Sequence, residues 1–196
     1  MTGEDADPGV GVANDEPGTM LGAGAQGVLV FVGLGSNQGD SVALLARALE
    51  GLRSLPGTTV VACSSLYRTA AVGFVDQPDF LNQVVALRTT LAPLEVLDAG
   101  QELEAEAGRE RTVRWGPRTL DVDILWYDGM VSGGERLVLP HPRLEDRRFV
   151  LEPLAELAPR LRLASGRIVT QALALVADQA VTRVADAPAG SGHDEG

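Results

Sequence analysis

The segment RWGPRTLDVDILWYDG, residues 114–129, constrains this chain more than any other part of it. Its second half is apolar enough for a buried strand, yet it carries Asp121 and Asp123 two positions apart. Side chains at i and i+2 of a strand point to the same face of a sheet. The two carboxylates should therefore lie side by side, where their charges repel unless a positive group or ion is present. A solvated strand face is the ordinary alternative.

The loop before this strand is unusually rich in arginine. It holds four arginines, with Glu110 as the only acid among them: Arg109, Arg111, Arg114 and Arg118. Arginine matches phosphate oxygens through two parallel hydrogen bonds. Carboxylates together with phosphate oxygens are the usual ligands of Mg²⁺. The loop and the aspartate pair therefore predict the same ligand, a magnesium-bound polyphosphate.

Hydrophobic periodicity predicts an α+β fold with a ferredoxin-like βαββαβ core, an antiparallel sheet with helices, followed by C-terminal additions. The predicted strands cover residues 28–34, 58–68, 80–90 and 119–127, the helices about 41–53 and 93–107, and the loops 69–79 and 108–118. The predicted additions are a short strand near 136–140, a turn or short helix at 149–157 and a helix near 168–178.

Composition separates a single domain, residues 27–186, from two tails. Residues 1–26 form an acidic Gly/Pro-rich stretch, and residues 187–196 are similar, so we expect both to be disordered. The domain between them has 16 basic and 20 acidic residues, a mildly acidic balance that argues against nucleic-acid binding. We expect the domain to be a monomer.

Two further features bear on the compartment. No apolar run approaches the roughly 20 residues that a membrane helix needs, so we expect no membrane association. Cys63 is the only cysteine, so the chain cannot form an internal disulfide. That cysteine usage predicts a cytoplasmic location.

A second site is suggested by two of the four phenylalanines, Phe80 and Phe149, which lie beside polar loop segments. Asn82 shares a strand face with Phe80 and offers a paired donor and acceptor. An aromatic ring beside an amide suits a flat, hydrogen-bonding heterocycle. Core packing is the ordinary alternative for both rings. His141, close in sequence to Arg147, could bond a phosphate or ribose, and a structural role fits it equally well.

Other polar segments carry weaker signals. GLGSN, residues 33–37, could cradle a phosphate, but it lacks the lysine of a P-loop and a plain turn is the ordinary interpretation. Gln101 and Glu104 share one face of the second predicted helix. A solvated face is the default interpretation for that pair.

The motifs GLGSNQGD, SSLYRT, DQPDFLNQVV, RWGPRTLDVDIL and LPHPRLEDRRFVLEPLAELAP follow one another between about residues 28 and 175. In this order they closely resemble the 6-hydroxymethyl-7,8-dihydropterin pyrophosphokinases of folate biosynthesis. The run Arg-Trp-Gly-Pro-Arg-Thr-Leu-Asp-x-Asp is highly specific, whereas the Gly-Ser-Asn segment alone would be weak. The family's fold is ferredoxin-like, in agreement with the element order.

The resemblance implies an enzyme, a diphosphokinase that transfers a pyrophosphoryl group from ATP to the hydroxymethyl group of the pterin and releases AMP. It implies Asp121 and Asp123 as ligands of two Mg²⁺ ions and, with Arg109 and Arg118, as catalytic residues. The ATP-binding residues that it implies are Gln101, Glu104, Arg109, Arg111, Arg114, Trp115, Arg118, Ile124, Arg136, His141 and Arg147. The pterin-binding residues that it implies are Thr69, Ala70, Val72, Phe80, Asn82, Trp115, Asp121 and Phe149.

The chain departs from the family pattern at a few positions, none of them an aspartate or arginine of the site. Ala70, Ala71 and Val72 stand where the family often has Pro-Pro-Leu, Phe80 where tyrosine is frequent, and Pro142 where an aromatic is common. Three other functions remain as alternatives: a catalytically inactive MgATP-binding regulatory domain, a conventional kinase that forms ADP, and an RNA-binding module. The last would need exposed strand aromatics and a positive sheet face, and neither is evident.

Overall fold

The computed structural model describes residues 27–70, 77–108 and 118–185. Its strands are β1 (Val28–Ser36), β2 (Thr58–Cys63), β3 (Leu66–Thr69), β4 (Phe80–Thr89), β5 (Asp121–Tyr127), β6 (Ser132–Gly133), β7 (Val138–Leu139) and β8 (Thr182–Ala185). Its helices are α1 (Ser41–Arg53), α2 (Pro93–Glu106), α3 (Arg148–Leu157) and α4 (Val169–Leu175). The prediction of an α+β fold built on the order βαββαβ is confirmed.

The main sheet is antiparallel, with the strand order β5-β1-β4-β3-β8 in the described part of the chain. β1 pairs with β4 along its whole length, so β2 and β3 share the opposite edge of β4. The predicted strand 58–68 is thus two strands, β2 and β3, with a break at Ser64. The Ser64 hydroxyl accepts a hydrogen bond from the Val84 amide at 2.9 Å, and the Ser64 amide donates one to the Val84 carbonyl at 2.8 Å.

Helices cover both faces of this sheet and divide the core in two. One apolar cluster joins the sheet to α1 and α2, where Leu45, Leu49 and Leu52 repeat at helical spacing. The other joins the opposite face to α3 and α4, through Leu151 and Leu154 among others. Because each strand places alternate residues on the two faces, β1 and β5 contribute to both clusters.

The C-terminal additions differ most from the sequence-based prediction. β8 was not predicted, and it adds a strand beside β3. The segment predicted as a turn or short helix is a ten-residue helix, α3, although it contains Pro153. Pro153 is the sixth residue of α3, beyond the amides that lack a helical partner, so it removes the hydrogen bond that an amide at this position would donate to the Phe149 carbonyl.

Several predictions lie outside the described residues. They concern the tails 1–26 and 187–196, residues 71–76 of the first predicted loop and residues 109–117 of the second. Within the described ranges, no helix is long and apolar enough to cross a membrane.

Candidate active site

A cavity of about 590 Å³ opens on the sheet face that also carries α3 and α4. Its floor is formed by β1, β4 and β5, and its far wall by the start of α3 and by residues 179–181. Nine residues predicted from the sequence line it together: Thr69, Ala70, Phe80, Asn82, Arg118, Asp121, Asp123, Arg147 and Phe149.

Two glycines of β1 make room for this cavity. Gly35 pairs with Asn82 on one side and Asp121 on the other, and Gly33 pairs with Val84 and Asp123. A methyl group at position 35 would lie 3.5 Å from Asn82 Oδ1, an ordinary contact distance. It would nevertheless fill space at the floor of the cavity. Residues 33–36 are strand, so most of the segment interpreted as a turn or phosphate cradle belongs to β1, and its two glycines, Gly33 and Gly35, leave space at the floor of the cavity.

Asp121 and Asp123 lie on the same face of β5 and both line the cavity, as their spacing predicts. Asp121 forms an ion pair with the guanidinium of Arg118. Burial raises the pKa of Asp123 to about 6, and the charge of Asp121 adds to that increase, whereas Arg147 and Arg118 oppose it. The pair is therefore a concentrated negative charge that protein cations offset only in part.

Arg147 approaches the aspartates from the opposite wall. Its pKa is lowered, chiefly by burial, while the charge of Asp123 acts in the opposite direction. Its guanidinium carbon lies 5.4 Å from the centre of the Phe149 ring, a cation–π distance. The other predicted members of the arginine loop, Arg109, Arg111, Arg114 and Trp115, lie outside the described residues.

The polar groups beside Phe80 form a short buried network. Asn82 Nδ2 donates to Thr69 Oγ1 at 3.0 Å, and both residues are buried. The amide is thereby held in one orientation beside Gly35, with Phe80 on the same strand face. Val72, the remaining residue predicted here, lies outside the described residues.

Five predicted ATP-binding residues do not line the cavity: Gln101, Glu104, Ile124, Arg136 and His141. Gln101 is exposed on α2, and Arg136 pairs with Asp98. The solvated face expected for Glu104 is wrong, because its carboxylate is buried and accepts a hydrogen bond from the Val122 amide at 2.9 Å. It therefore fixes the strand that carries both aspartates.

Ile124 and His141 make other contacts in the fold. Ile124 packs in the α1–α2 core, because its position in β5 alternates with those of the aspartates. His141 Nδ1 accepts from the Arg143 amide at 3.1 Å. Burial lowers the pKa of His141, and the charges of Arg147 and Arg143 lower it further, so the protein favours the neutral ring.

Sequence reasoning missed the buried side chain of Asn37. Its Oδ1 accepts from the Arg118 amide at 2.7 Å, and its Nδ2 donates to the Pro78 carbonyl at 3.1 Å. It therefore joins the end of the arginine loop to the segment before β4. The Gly-Ser-Asn motif was the available signal, but no local pattern shows that an asparagine has partners so distant in the chain.

The missed residues Gln179, Ala180 and Val181 line the far wall of the cavity. They lie in the C-terminal addition, just before β8. Neither their residue types nor their spacing signals a site.

Comparisons with known proteins show the family of this chain. The family model described as 7,8-dihydro-6-hydroxymethylpterin-pyrophosphokinase (HPPK) matches residues 31–159. A 2-amino-4-hydroxy-6-hydroxymethyldihydropteridine pyrophosphokinase of Methylorubrum extorquens is 48% identical over 154 residues, 79% of this chain and 97% of that protein. The protein of the same name from Pseudomonas aeruginosa is 46% identical over 155 residues, with 79% and 96% covered.

Solved structures show the same fold at low identity. An HPPK-DHPS chain in complex with substrates has a TM-score of 0.60 at 10% identity, covering 78% of this chain and 44% of that one. Wild-type HPPK-DHPS of Plasmodium falciparum with pteroate has a TM-score of 0.60 at 12% identity, with 76% and 44% covered. This chain thus spans less than half the length of those two-part chains.

Proposed function

Because this chain belongs to the 7,8-dihydro-6-hydroxymethylpterin-pyrophosphokinase family, we propose that its cavity is where ATP and the pterin meet. The protein is a transferase of folate biosynthesis that moves a pyrophosphoryl group from ATP to the pterin. The observation that carries the site assignment is the common cavity wall of Asp121 and Asp123 with Asn82 and Phe80.

The pterin binds between Phe80 and Phe149 in this proposal. Both rings line the cavity, and an aromatic heterocycle stacks well on such faces. Asn82 bonds the edge of the pterin, and the hydrogen bond from its Nδ2 to Thr69 Oγ1 keeps the amide oriented. A buried amide of fixed orientation rejects ligands that lack matching groups, since its donor or acceptor would then lose a partner.

The aspartates are proposed to hold two Mg²⁺ ions together with the phosphates of ATP. Carboxylate oxygens suit Mg²⁺, and a cation would stabilise the charged form of Asp123, which burial and then the charge of Asp121 disfavour by raising its pKa. The described residues contain no group of three or more metal-ligating side chains, so phosphate oxygens and water would complete each ion's coordination. When bound there, magnesium would neutralise phosphate charge and orient the β-phosphate.

In the transfer, the hydroxymethyl oxygen forms a bond to the β-phosphorus of ATP. The bond from that phosphorus to the oxygen bridging the α-phosphate breaks, AMP leaves, and the hydroxyl proton passes to solvent. Arg118 and Arg147 contribute positive charge from opposite walls, which stabilises charge that develops on the phosphates. The stacked aromatics hold the nucleophile in line, which lowers the entropic barrier.

The test is to supply MgATP and 6-hydroxymethyl-7,8-dihydropterin and to identify the nucleotide product. AMP that forms only when the pterin is present supports the proposal. ADP would indicate a conventional kinase. Binding of MgATP without turnover would indicate the regulatory alternative, which no comparison supports.

The cellular context is proposed on sequence grounds. The single thiol, Cys63, supports a cytoplasmic location. We propose a monomer whose enzyme domain comprises residues 27–186, and sedimentation of the full chain tests that oligomeric state.

A further inference from the structure

Helix α3 begins with two side chains that reach the cavity, and its first residues lack the usual helix cap. Arg147 occupies the N-cap position and makes no capping hydrogen bond through its side chain. Serine, threonine, aspartate and asparagine are favoured there because they accept from the first free amides. A cation at a helix N-terminus is also unfavourable with respect to the helix dipole. The start of α3 therefore needs support from elsewhere.

That support comes from Gln179, which lies 31 residues after Arg148. Its Oε1 accepts from the Arg148 amide at 2.9 Å, and its Nε2 donates to the Asp146 carbonyl at 2.8 Å. One side-chain amide thus holds the backbone immediately before and after Arg147. It supplies the cap that the arginine at the N-cap position cannot.

The side chain of Arg148 also binds the segment that contains Gln179. Its guanidinium Nη1 donates to the carbonyls of Ala177 at 2.8 Å and Gln179 at 3.0 Å. We call these four hydrogen bonds between Gln179 or Ala177 and residues 146–148 the Gln179 clamp. The clamp is fastened to the main sheet through β8, where Arg183 Nε donates to Ser65 Oγ at 2.9 Å.

The clamp controls two cavity residues at once. Arg147 and Phe149 flank Arg148 in sequence and contact each other through the cation–π pair at 5.4 Å. Gln179 also lines the cavity beside them. A shift of the backbone at residues 146–149 would therefore displace the Phe149 ring and the Arg147 charge together.

We propose that Gln179 is a positioning residue for the transfer reaction. It fixes residues 146–149 so that Phe149 stacks on the pterin and Arg147 faces the aspartates. The inference rests on the proposed pterin site, because Phe149 is the group that Gln179 positions. Displacements near 1 Å at a reacting centre can reduce rates by about 100-fold.

The experiment compares Gln179→Ala with Gln171→Ala. Gln171 makes a hydrogen bond of the same kind, since its Oε1 accepts from the Ile168 amide at 3.1 Å, but it caps α4 and does not line the cavity. Gln179→Ala is expected to raise the KM for the pterin by about tenfold. The Kd of the pterin, measured in the presence of an ATP analogue, should rise by the same factor, which corresponds to the loss of one binding contact. The KM for ATP should change less than threefold, because several arginines share the phosphates. Gln171→Ala should leave all three constants unchanged.

A conservative variant separates positioning from simple loss of stability. Gln179→Glu retains an acceptor for the Arg148 amide and should recover part of the pterin affinity. If Gln179→Ala does not fold, Arg148→Met, which removes the guanidinium side of the clamp, should show the same selective increase in the pterin KM.

Phe149→Ala makes the two possible failures distinguishable. If Phe149→Ala weakens pterin binding while Gln179→Ala behaves like Gln171→Ala, the positioning role is overturned and the pterin site stands. If Phe149→Ala leaves pterin binding unchanged, the pterin site is overturned, and the positioning role with it.

Discussion

Arg118 stands out among the individual residues because its guanidinium is paired with Asp121. The sequence assigned this arginine to phosphate and left the aspartates to be offset by metal. The structure shows that Arg118 pairs with Asp121, whereas at Asp123 the charges of Arg147 and Arg118 oppose an increase in pKa that burial causes. Asp123 is therefore a buried carboxylate whose negative charge the protein's cations offset only in part.

Asp123→Asn is expected to stabilise the protein in the absence of substrates at pH 8. The pKa of Asp123 is raised to about 6 from an ordinary value of 3.8, chiefly by burial, so the folded state favours the protonated form. The protonated Asp123 therefore contributes to the free energy of unfolding. That contribution is fully present below about pH 4 and is lost as the pH rises through about 6, and the total loss is roughly 3 kcal/mol. Asparagine lacks the titration and should be more stable by about 2–3 kcal/mol at pH 8, with little difference at pH 4.

Urea unfolding at both pH values measures this difference. Asp128→Asn, on an exposed turn, is the matched control and should change stability by less than about 0.5 kcal/mol. A lower stability of Asp123→Asn than of the wild type at pH 8 would contradict the assignment of buried charge to this carboxylate.

At the scale of elements, Asn37 connects the segments that border the site. It lies just after β1, is only 2% exposed, and bonds both the Arg118 amide and the Pro78 carbonyl. The Asn37 amide also donates to the Arg118 carbonyl at 3.0 Å. These contacts fix the backbone where β5 is approached and where β4 begins.

Asn37→Ala should therefore reduce both stability and activity. The Arg118 amide would lose its acceptor in a partly buried position, which costs about 1 kcal/mol. We expect kcat/KM for AMP formation to fall at least about tenfold, because Arg118 and Asp121 would shift together. Asn37→Asp keeps the acceptor for Arg118 and should retain more activity, whereas equal losses in both variants would show that this acceptor is not what matters.

A second connection between elements lies under β8. Glu156 of α3 accepts from the Ser65 amide at 2.7 Å and from the Tyr67 hydroxyl at 2.5 Å. Arg183 of β8 lies 3.3 Å from the same carboxylate. This network ties α3 and β8 to β3, and so supports the wall that carries the Gln179 clamp.

Glu156→Gln should lower the pKa of Tyr67 toward its ordinary value. That pKa is raised first by burial, then by the hydrogen bond to Glu156 and the charge of that carboxylate, and the substitution removes the charge. Spectrophotometric titration can follow this change because the chain has only two tyrosines. Glu156→Ala should also destabilise the fold by about 2–3 kcal/mol, as two buried donors lose their acceptor. An unchanged Tyr67 titration in Glu156→Gln would contradict this account.

For the whole molecule, binding and stability are linked through the aspartate pair. Magnesium with a non-hydrolysable ATP analogue should raise the melting temperature, since a ligand that binds only the folded state at 100 times its Kd adds about 2.7 kcal/mol. For a domain of this size that is a rise of roughly 5–10 °C. Asp123→Asn should lose most of the rise although its own baseline is higher, and an unchanged rise in that variant would count against the metal assignment.

Sequence reasoning alone predicted the α+β class, the order βαββαβ and the shared face of Asp121 and Asp123. Those properties follow from periodicity within one segment, which the local chain encodes directly. The shared face of Phe80 and Asn82 was predictable for the same reason. The function was predicted from the family motifs, because they contain the residues that would bind the substrates and carry out the reaction.

The hydrogen-bond partners that lie far apart in the chain could be identified only from the folded structure. Asn37 with Arg118, Glu104 with Val122 and Gln179 with Arg148 are hydrogen bonds between distant segments, and each satisfies a backbone amide that local structure left without a partner. Such pairings depend on how the sheet and helices pack, since burial makes a missing partner costly only once the chain has folded. For the same reason the sequence did not predict β8, a strand of four residues that is recognised by its pairing with β3.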